Sequence, residues 1–197
     1  MIQVFVDTSY KTLTVAALVD GQVQAFYHAV AFKSQSELVM KQLDEVMQEA
    51  NLRPTDIDEL IVTVGPGSYT GVRIALTLAK VLASISTIRI KTITSLEMFV
   101  KTNTACMVVF DARSERLYAG VFKDGQYTLG PQVMTVSDAQ TLLKTNPMPV
   151  YGDGHLLDQV EDFDLEPRHV ETLVKKAELV EDVDQLKPLY LKEMSAY

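Results

Sequence analysis

Tryptophan is missing from these 197 residues, and cysteine occurs once, as Cys106 inside an apolar run. One thiol cannot close an internal disulfide, and a zinc site built on paired cysteines is excluded. No run approaches the roughly 18 uninterrupted apolar residues a membrane-crossing helix needs. Met1–Asp7 has no basic stretch ahead of its apolar residues, so it does not read as a secretory leader, and a cytoplasmic protein is expected. Basic residues are outnumbered, 18 against 26 acidic, giving a net charge of −8. That argues against a stand-alone nucleic-acid binder, which needs a basic footprint. The three histidines, His28, His155 and His169, are far apart and form neither H-E-x-x-H nor H-x-x-x-H. What the chain does have is a 47% apolar fraction, enough for a sizeable core.

Periodicity places the elements. Ile2–Val6 is a buried strand ending in the polar turn Asp7-Thr8-Ser9, and Thr12–Val19 and Gln22–Val30 are two more strands joined by Asp20-Gly21, both of which tolerate positive φ. Ser34-Gln35-Ser36-Glu37 fits a helix capping box. Val39, Leu43, Val46, Met47 and Ala50 then recur at helical spacing up to Asn51. Leu60–Val64 is a strand, 65–71 a tight loop, Val72–Ala83 a helix and Ile88–Ile93 a strand; Ser95–Val100 is a short helix. Strands recur at Ala105–Phe110, Leu117–Phe122 and Pro149–Tyr151, and helices at Ser137–Leu143 and Val170–Val180, with Leu186–Tyr197 unassigned.

The two halves echo each other. Laid over residue 111, Asp7 brings Leu13 onto Leu117, Asp20 onto Asp124, Gly21 onto Gly125 and Gln22 onto Gln126 without a gap. About one identity would be expected there from average usage. Two βββαβα lobes at 1–103 and 104–197, the second reduced, make an α/β, actin-like (ASKHA, RNase H-like) fold. In that fold the first turn of each lobe faces a nucleotide cleft. Asp7, Thr8, Ser9, Asp111 and Arg113 are therefore the cleft candidates, with Asp7 and Asp111 able to hold magnesium. Fold alone does not give function. Neither aspartate is followed by a glycine and hydroxyl cluster that wraps a phosphate, so the cleft reads as vestigial.

Gly65-Pro66-Gly67-Ser68-Tyr69-Thr70-Gly71 is the most distinctive segment. It is not a P-loop, because Thr70 stands at the second glycine position and no lysine follows. It is not a dinucleotide fingerprint, because its third glycine comes one place late. Pro66 rules out the G-x-S-x-G nucleophile elbow around Ser68. Two readings stay open: a tight strand-to-helix turn capped by Ser68 or Thr70, and an anion contact at the helix N-terminus. In the helix that follows, Gly71, Ala75, Ala79 and Ala83 form a stripe of small residues, which suits burial in its own lobe or close docking of a partner helix.

Phe5-Val6-Asp7-Thr8-Ser9, Ser36-Glu37, Asp56-Ile57-Asp58, the run from Gly65 to Arg73, Asp111-Ala112-Arg113 and Leu117-Tyr118 together resemble the TsaB (YeaZ) family of bacterial tRNA threonylcarbamoyladenosine biosynthesis. The resemblance covers residues 2 to about 125, and the Gly-Pro-Gly-Ser-Tyr-Thr-Gly-Val-Arg run carries most of it. It implies a protein that is not itself a catalyst and takes no cofactor or metal. Such a protein pairs with TsaD, which transfers threonylcarbamoyl to the adenosine next to the anticodon. The ATPase TsaE joins the assembly, homodimers also form, and contact with tRNA is only indirect. The resemblance further implies that TsaD is met through the first two helices. Here that gives Val39, Leu43 and Met47 on one helix, and Tyr69, Gly71, Arg73, Ala75, Leu76, Ala79, Lys80 and Ala83 on the other. The competing expectations are a small-molecule kinase or ATPase using Asp7 and Asp111, and a peptidase or chaperone-like module; for a peptidase neither a metal nor a nucleophile constellation is visible.

Overall fold

The structure is a computed structural model and describes residues 1–102 and 104–191. It divides into two compact units. The first holds Met1–Ser95 and takes back Leu165–Pro188; the second is built on Leu96–Asp164. The first stretch of this unit thus ends eight residues before the expected boundary at 103, and the expected continuous second lobe is interrupted.

The first unit opens with three antiparallel strands, β1 (Ile2–Asp7), β2 (Thr12–Val19) and β3 (Gln22–Val30). Asp20 at φ 51° and Gly21 at φ 79° make the β2–β3 turn, the left-handed pair that the Asp-Gly dipeptide predicts. Helix α1 (Gln35–Glu49) follows, then β4 (Glu59–Thr63), α2 (Tyr69–Ile85) and β5 (Arg89–Ile93). β4 lies parallel to β1 and β5 parallel to β4. The capping box at Ser34 does not form: the Ser34 hydroxyl donates to the Ala31 carbonyl oxygen at 3.0 Å and leaves the α1 amides alone.

β1 and β4 are central strands, and their continuous apolar runs reflect burial on both faces. Val4, Val6, Val15, Leu60 and Val62 pack with Val39, Leu43, Val46 and Met47 of α1 and Val72, Ala75, Leu76 and Ala79 of α2 in one core. Each buried Val or Leu contributes about 1.5–3 kcal/mol by leaving water, so this helix–sheet layer dominates the unit's stability. Gln3 and Asp7 alternate with those core residues. They meet Glu59 and Thr63 of the neighbouring strand, through Gln3 Nε2 to Glu59 Oε2 at 2.8 Å and Thr63 Oγ1 to Asp7 Oδ1 at 2.5 Å.

The second unit repeats the plan with β6 (Cys106–Asp111), β7 (Arg116–Lys123), β8 (Gln126–Thr135), α3 (Val136–Thr145) and β9 (Val150–Gly152). Its sheet order is β8-β7-β6-β9, and the first sheet contains β3-β2-β1-β4 in the same order and directions. The duplication is therefore present in the topology, and the fold is the expected α/β, actin-like class with a reduced second lobe.

The last helix departs from the repeat. α4 (Pro167–Lys176) packs on β3 and β2 of the first unit, burying Val170, Leu173 and Val174, and Glu171 Oε1 accepts the Val23 amide at 3.0 Å. The expected helix to Val180 stops at Lys176. Glu178–Leu179 instead form strand β10, antiparallel to β5, which gives the first sheet its sixth strand. The expected short helix at Ser95–Val100 is a single 3₁₀ turn over Glu97–Phe99. Of the unassigned tail, residues 192–197 lie outside the described residues.

Candidate functional site

The turn after β1 and the glycine loop before α2 form one packed structure in the first unit. The Ser68 amide donates to the Ser9 carbonyl oxygen at 2.7 Å. Ser68 caps α2, its hydroxyl accepting the Gly71 amide at 3.3 Å. The Thr8 hydroxyl donates to the Gly71 carbonyl oxygen at 2.7 Å and accepts the Ala75 amide at 3.2 Å. The glycines are needed because backbone meets backbone: a Cβ on Gly67 would lie 2.3 Å from the Ser9 carbonyl oxygen, and one on Gly71 would lie 2.2 Å from that of Thr8. Of the two readings of the loop, this geometry carries the strand-to-helix turn.

Asp7 is 1% exposed. Burial pushes its carboxyl above the usual carboxylate range, against hydrogen bonds from Ser9 and Thr63 and the charge of His28, which work to lower it. The Ser9 amide donates to Oδ1 at 3.0 Å. Its short bonds go to its own turn and to β4. Asp111, in the second unit, is exposed. The reason is register: Thr14 stands opposite Asp7, but its counterpart Tyr118 stands opposite Phe110, with Asp111 opposite Leu117. The turn after β6 is one residue tighter than the turn after β1, so the ungapped echo pairs two aspartates that occupy different strand positions. Asp111 Oδ1 accepts the Arg113 amide at 2.7 Å, in a turn where Arg113, Ser114 and Glu115 all have positive φ. The expectation of two equivalent cleft carboxylates is corrected accordingly. Thr8 and Ser9 are turn-builders.

The interface expectation also needs correction. Val39, Leu43, Met47, Gly71, Ala75, Leu76 and Ala79 are buried in the first unit's own core, so they offer no surface. The stripe of small residues lets α2 sit close to the sheet and the β1 turn. The outer side of α2 carries a different row at spacing four: Tyr69 (47% exposed), Arg73, Thr77, Val81 (51%) and Ile85 (74%). Arg73 lies over the Tyr69 ring, its guanidinium carbon 3.9 Å from the centroid. Of the other expected contacts, Ala83 is half-buried, and Lys80 is half-buried and donates to the Asp184 carbonyl oxygen at 2.9 Å. α1 packs beside α2 and exposes Met40 (57%). Sequence reasoning missed Val81 and Ile85, although two apolar side chains at polar positions of an amphipathic helix were the available signal.

His28 pairs with Thr14 through Nδ1 and Oγ1 at 2.8 Å, consistent with a structural histidine on β3. Cys106 is buried, and burial pushes its thiol up to about 11, far from a reactive thiolate. Among the described residues no helix is long and apolar enough to cross a membrane.

Comparison with known proteins draws these features together. A family model described as TsaD, tRNA N6-adenosine threonylcarbamoyltransferase, matches residues 18–162. The Bacillus subtilis (strain 168) tRNA threonylcarbamoyladenosine biosynthesis protein TsaB is 34% identical over 158 residues, 76% of this chain and 69% of that protein. The chain belongs to the TsaB (YeaZ) family. The solved structure titled YeaZ from Pseudomonas aeruginosa shares the fold. It superposes with a TM-score of 0.78, covering 96% of this chain and all of that one at 18% identity. An uncharacterized Mycoplasma pneumoniae protein, the MG208 homolog, is 25% identical over 196 residues, 97% of this chain and 95% of its own length. The family model's match to residue 162 and the 158-residue match to TsaB carry the resemblance past residue 125, where the motifs end.

Proposed function

We propose that this chain takes part in forming threonylcarbamoyladenosine in tRNA as a non-catalytic subunit that binds and stabilises TsaD, in an assembly completed by TsaE. Membership of the TsaB family supports the pathway. The observation that carries the subunit role is the exposed row Tyr69, Arg73, Val81 and Ile85 on α2, with Met40 also exposed on α1, the helix packed against α2. The buried side of the same helix is fixed through Gly71, Ala75 and Ala79, so the row is presented on a rigid support. Apolar side chains on a helix face gain when a second helix covers them. Homodimers would use the same chemistry. With a net charge of −8, tRNA is expected to be met through TsaD.

The kinase reading has less behind it. Asp7 is buried and bonded into its own turn, and Asp111 stands at a different register position. The deciding experiment is reconstitution of the tRNA modification from purified TsaD, TsaE and the remaining activities, with and without this chain. Product formation that depends on the chain, together with no ATP turnover by the chain alone, is the expected result. Unchanged product without it, or ATP hydrolysis that Asp7→Asn abolishes, would overturn the proposal.

A further inference from the structure

We propose a divalent-metal site in the second unit, made by Asp153, His155 and Glu161. Their ligating atoms lie within 4.8 Å of one another. His155 Nδ1 stands 2.9 Å from Glu161 Oε2 and 3.9 Å from Asp153 Oδ1. A cation held at about 2.0–2.2 Å from such donors spaces them roughly 3.0–3.5 Å apart, and the two observed distances bracket that range. One imidazole nitrogen with two carboxylate oxygens suits Zn²⁺ or another first-row cation and suits Mg²⁺ poorly, since imidazole is a weak partner for that ion.

Two further features separate this group from a chance meeting of surface charges. Asp153 is fully buried, and its second oxygen, Oδ2, accepts the Asp111 amide at 2.7 Å, so Oδ1 is the atom turned toward His155. Outer bonds of this kind orient metal-binding carboxylates. The loop carrying the three residues is also held at both ends. Gly152 and Asp162 exchange backbone hydrogen bonds at 2.7 and 2.9 Å, and the Gln159 amide donates to the Gly154 carbonyl oxygen at 2.9 Å. Gly152 has φ 83°, and a Cβ there would lie 2.2 Å from the Val109 carbonyl oxygen; one on Gly154 would lie 2.3 Å from that of Val160. Leu157 anchors the loop in the core. The donors are thus placed by backbone that has little freedom, and the cation clips Glu161 to the end of β9 while its remaining positions face solvent.

The test is calorimetric titration of the full chain with ZnCl₂, beside the His155→Ala and Glu161→Gln variants. Both side chains are about half exposed, 49% and 43%, so the variants keep the fold, as far-UV circular dichroism verifies. The expected result is one Zn²⁺ per chain, weakened more than about tenfold by either change, with a ¹⁵N shift at Nδ1 of His155. Excess MgCl₂ should not displace the zinc. No binding to the unaltered chain, binding that survives both variants, or a shift at Nε2 would each overturn the proposal.

Discussion

The Thr8 hydroxyl bridges the Gly71 carbonyl oxygen and the Ala75 amide, two groups that pair with each other in an undisturbed helix. One side chain from the β1 turn thus ties the first turn of α2 to the sheet, and the close approach it requires leaves no room for a Cβ on Gly71 or Gly67. Gly71→Ala should therefore destabilise the chain by about 1–3 kcal/mol or more through backbone displacement, and Thr8→Val by about 1–3 kcal/mol through the lost buried hydrogen bonds. Urea unfolding of the three proteins measures both. A Gly71→Ala midpoint equal to the parent's would contradict the packed-turn reading of the glycine loop.

The two sides of α2 should respond in opposite ways to charge. Val81→Glu and Ile85→Glu place a carboxylate on exposed positions and should leave the melting temperature within a few degrees while weakening TsaD association at least tenfold, about 1.4 kcal/mol. Ala79→Arg forces a large charged group into a fully buried site and should lose the fold, not just the partner. Melting curves beside calorimetric titration with TsaD separate the two. Full TsaD affinity in Ile85→Glu would move the docking surface elsewhere.

How much of this could be read beforehand depended on whether the determinant was local. The Asp-Gly turns at 20–21 and 124–125, the apolar strands and the α1 periodicity are set by neighbours in sequence, and they appear where the pattern puts them. A hydroxyl cap on α2 was legible for the same reason, as Ser68 or Thr70, and Ser68 is the one that caps. What stayed hidden depends on distant packing. The stripe Gly71, Ala75 and Ala79 has one spacing whether a helix docks inward or outward, and only the sheet beneath it decides. The register difference between Asp7 and Asp111 arises from one residue in a turn, which an ungapped comparison cannot see. α4 and β10 join the first unit through β3 and β5, more than 80 residues earlier in the chain. Asp153, His155 and Glu161 match no familiar ligand spacing, because a loop closed by Gly152 and Asp162 brings them together.

Asp7 gives a pH signature. Burial raises its carboxyl above the ordinary value of 3.8. An acid whose folded value is raised contributes its full stability below the unfolded value and loses it as pH climbs through the folded one. Asp7→Asn keeps an acceptor for the Ser9 amide and the Thr63 hydroxyl and removes the charge. Its stability relative to the parent should therefore be more favourable at about pH 7 than at about pH 4. Paired thermal melts at the two values check this, and a difference independent of pH would mean that Asp7 is not strained by ionisation.

Glu59 gives the opposite signature in the same sheet. Its side chain is 3% exposed, yet Arg89 Nη2 and Lys91 Nζ approach its oxygens at 2.9 and 3.1 Å, and Gln3 donates to it. Burial alone would raise its carboxyl, but the Gln3 and Lys91 hydrogen bonds and the charges of Lys91 and Arg89 outweigh burial and hold it below its ordinary 4.5. A depressed carboxylate contributes stability above the unfolded value and loses it as pH falls through the folded one. Glu59→Gln leaves Lys91, only 23% exposed, without its charge partner and should cost about 1–3 kcal/mol at neutral pH. The gap to the parent should shrink as pH drops below 4.5, because the parent then gives up the same interaction. Urea midpoints across that range, with an unchanged m-value, measure it; a gap that persists undiminished at the acid end would mean that the glutamate contributes through packing and not through its charge.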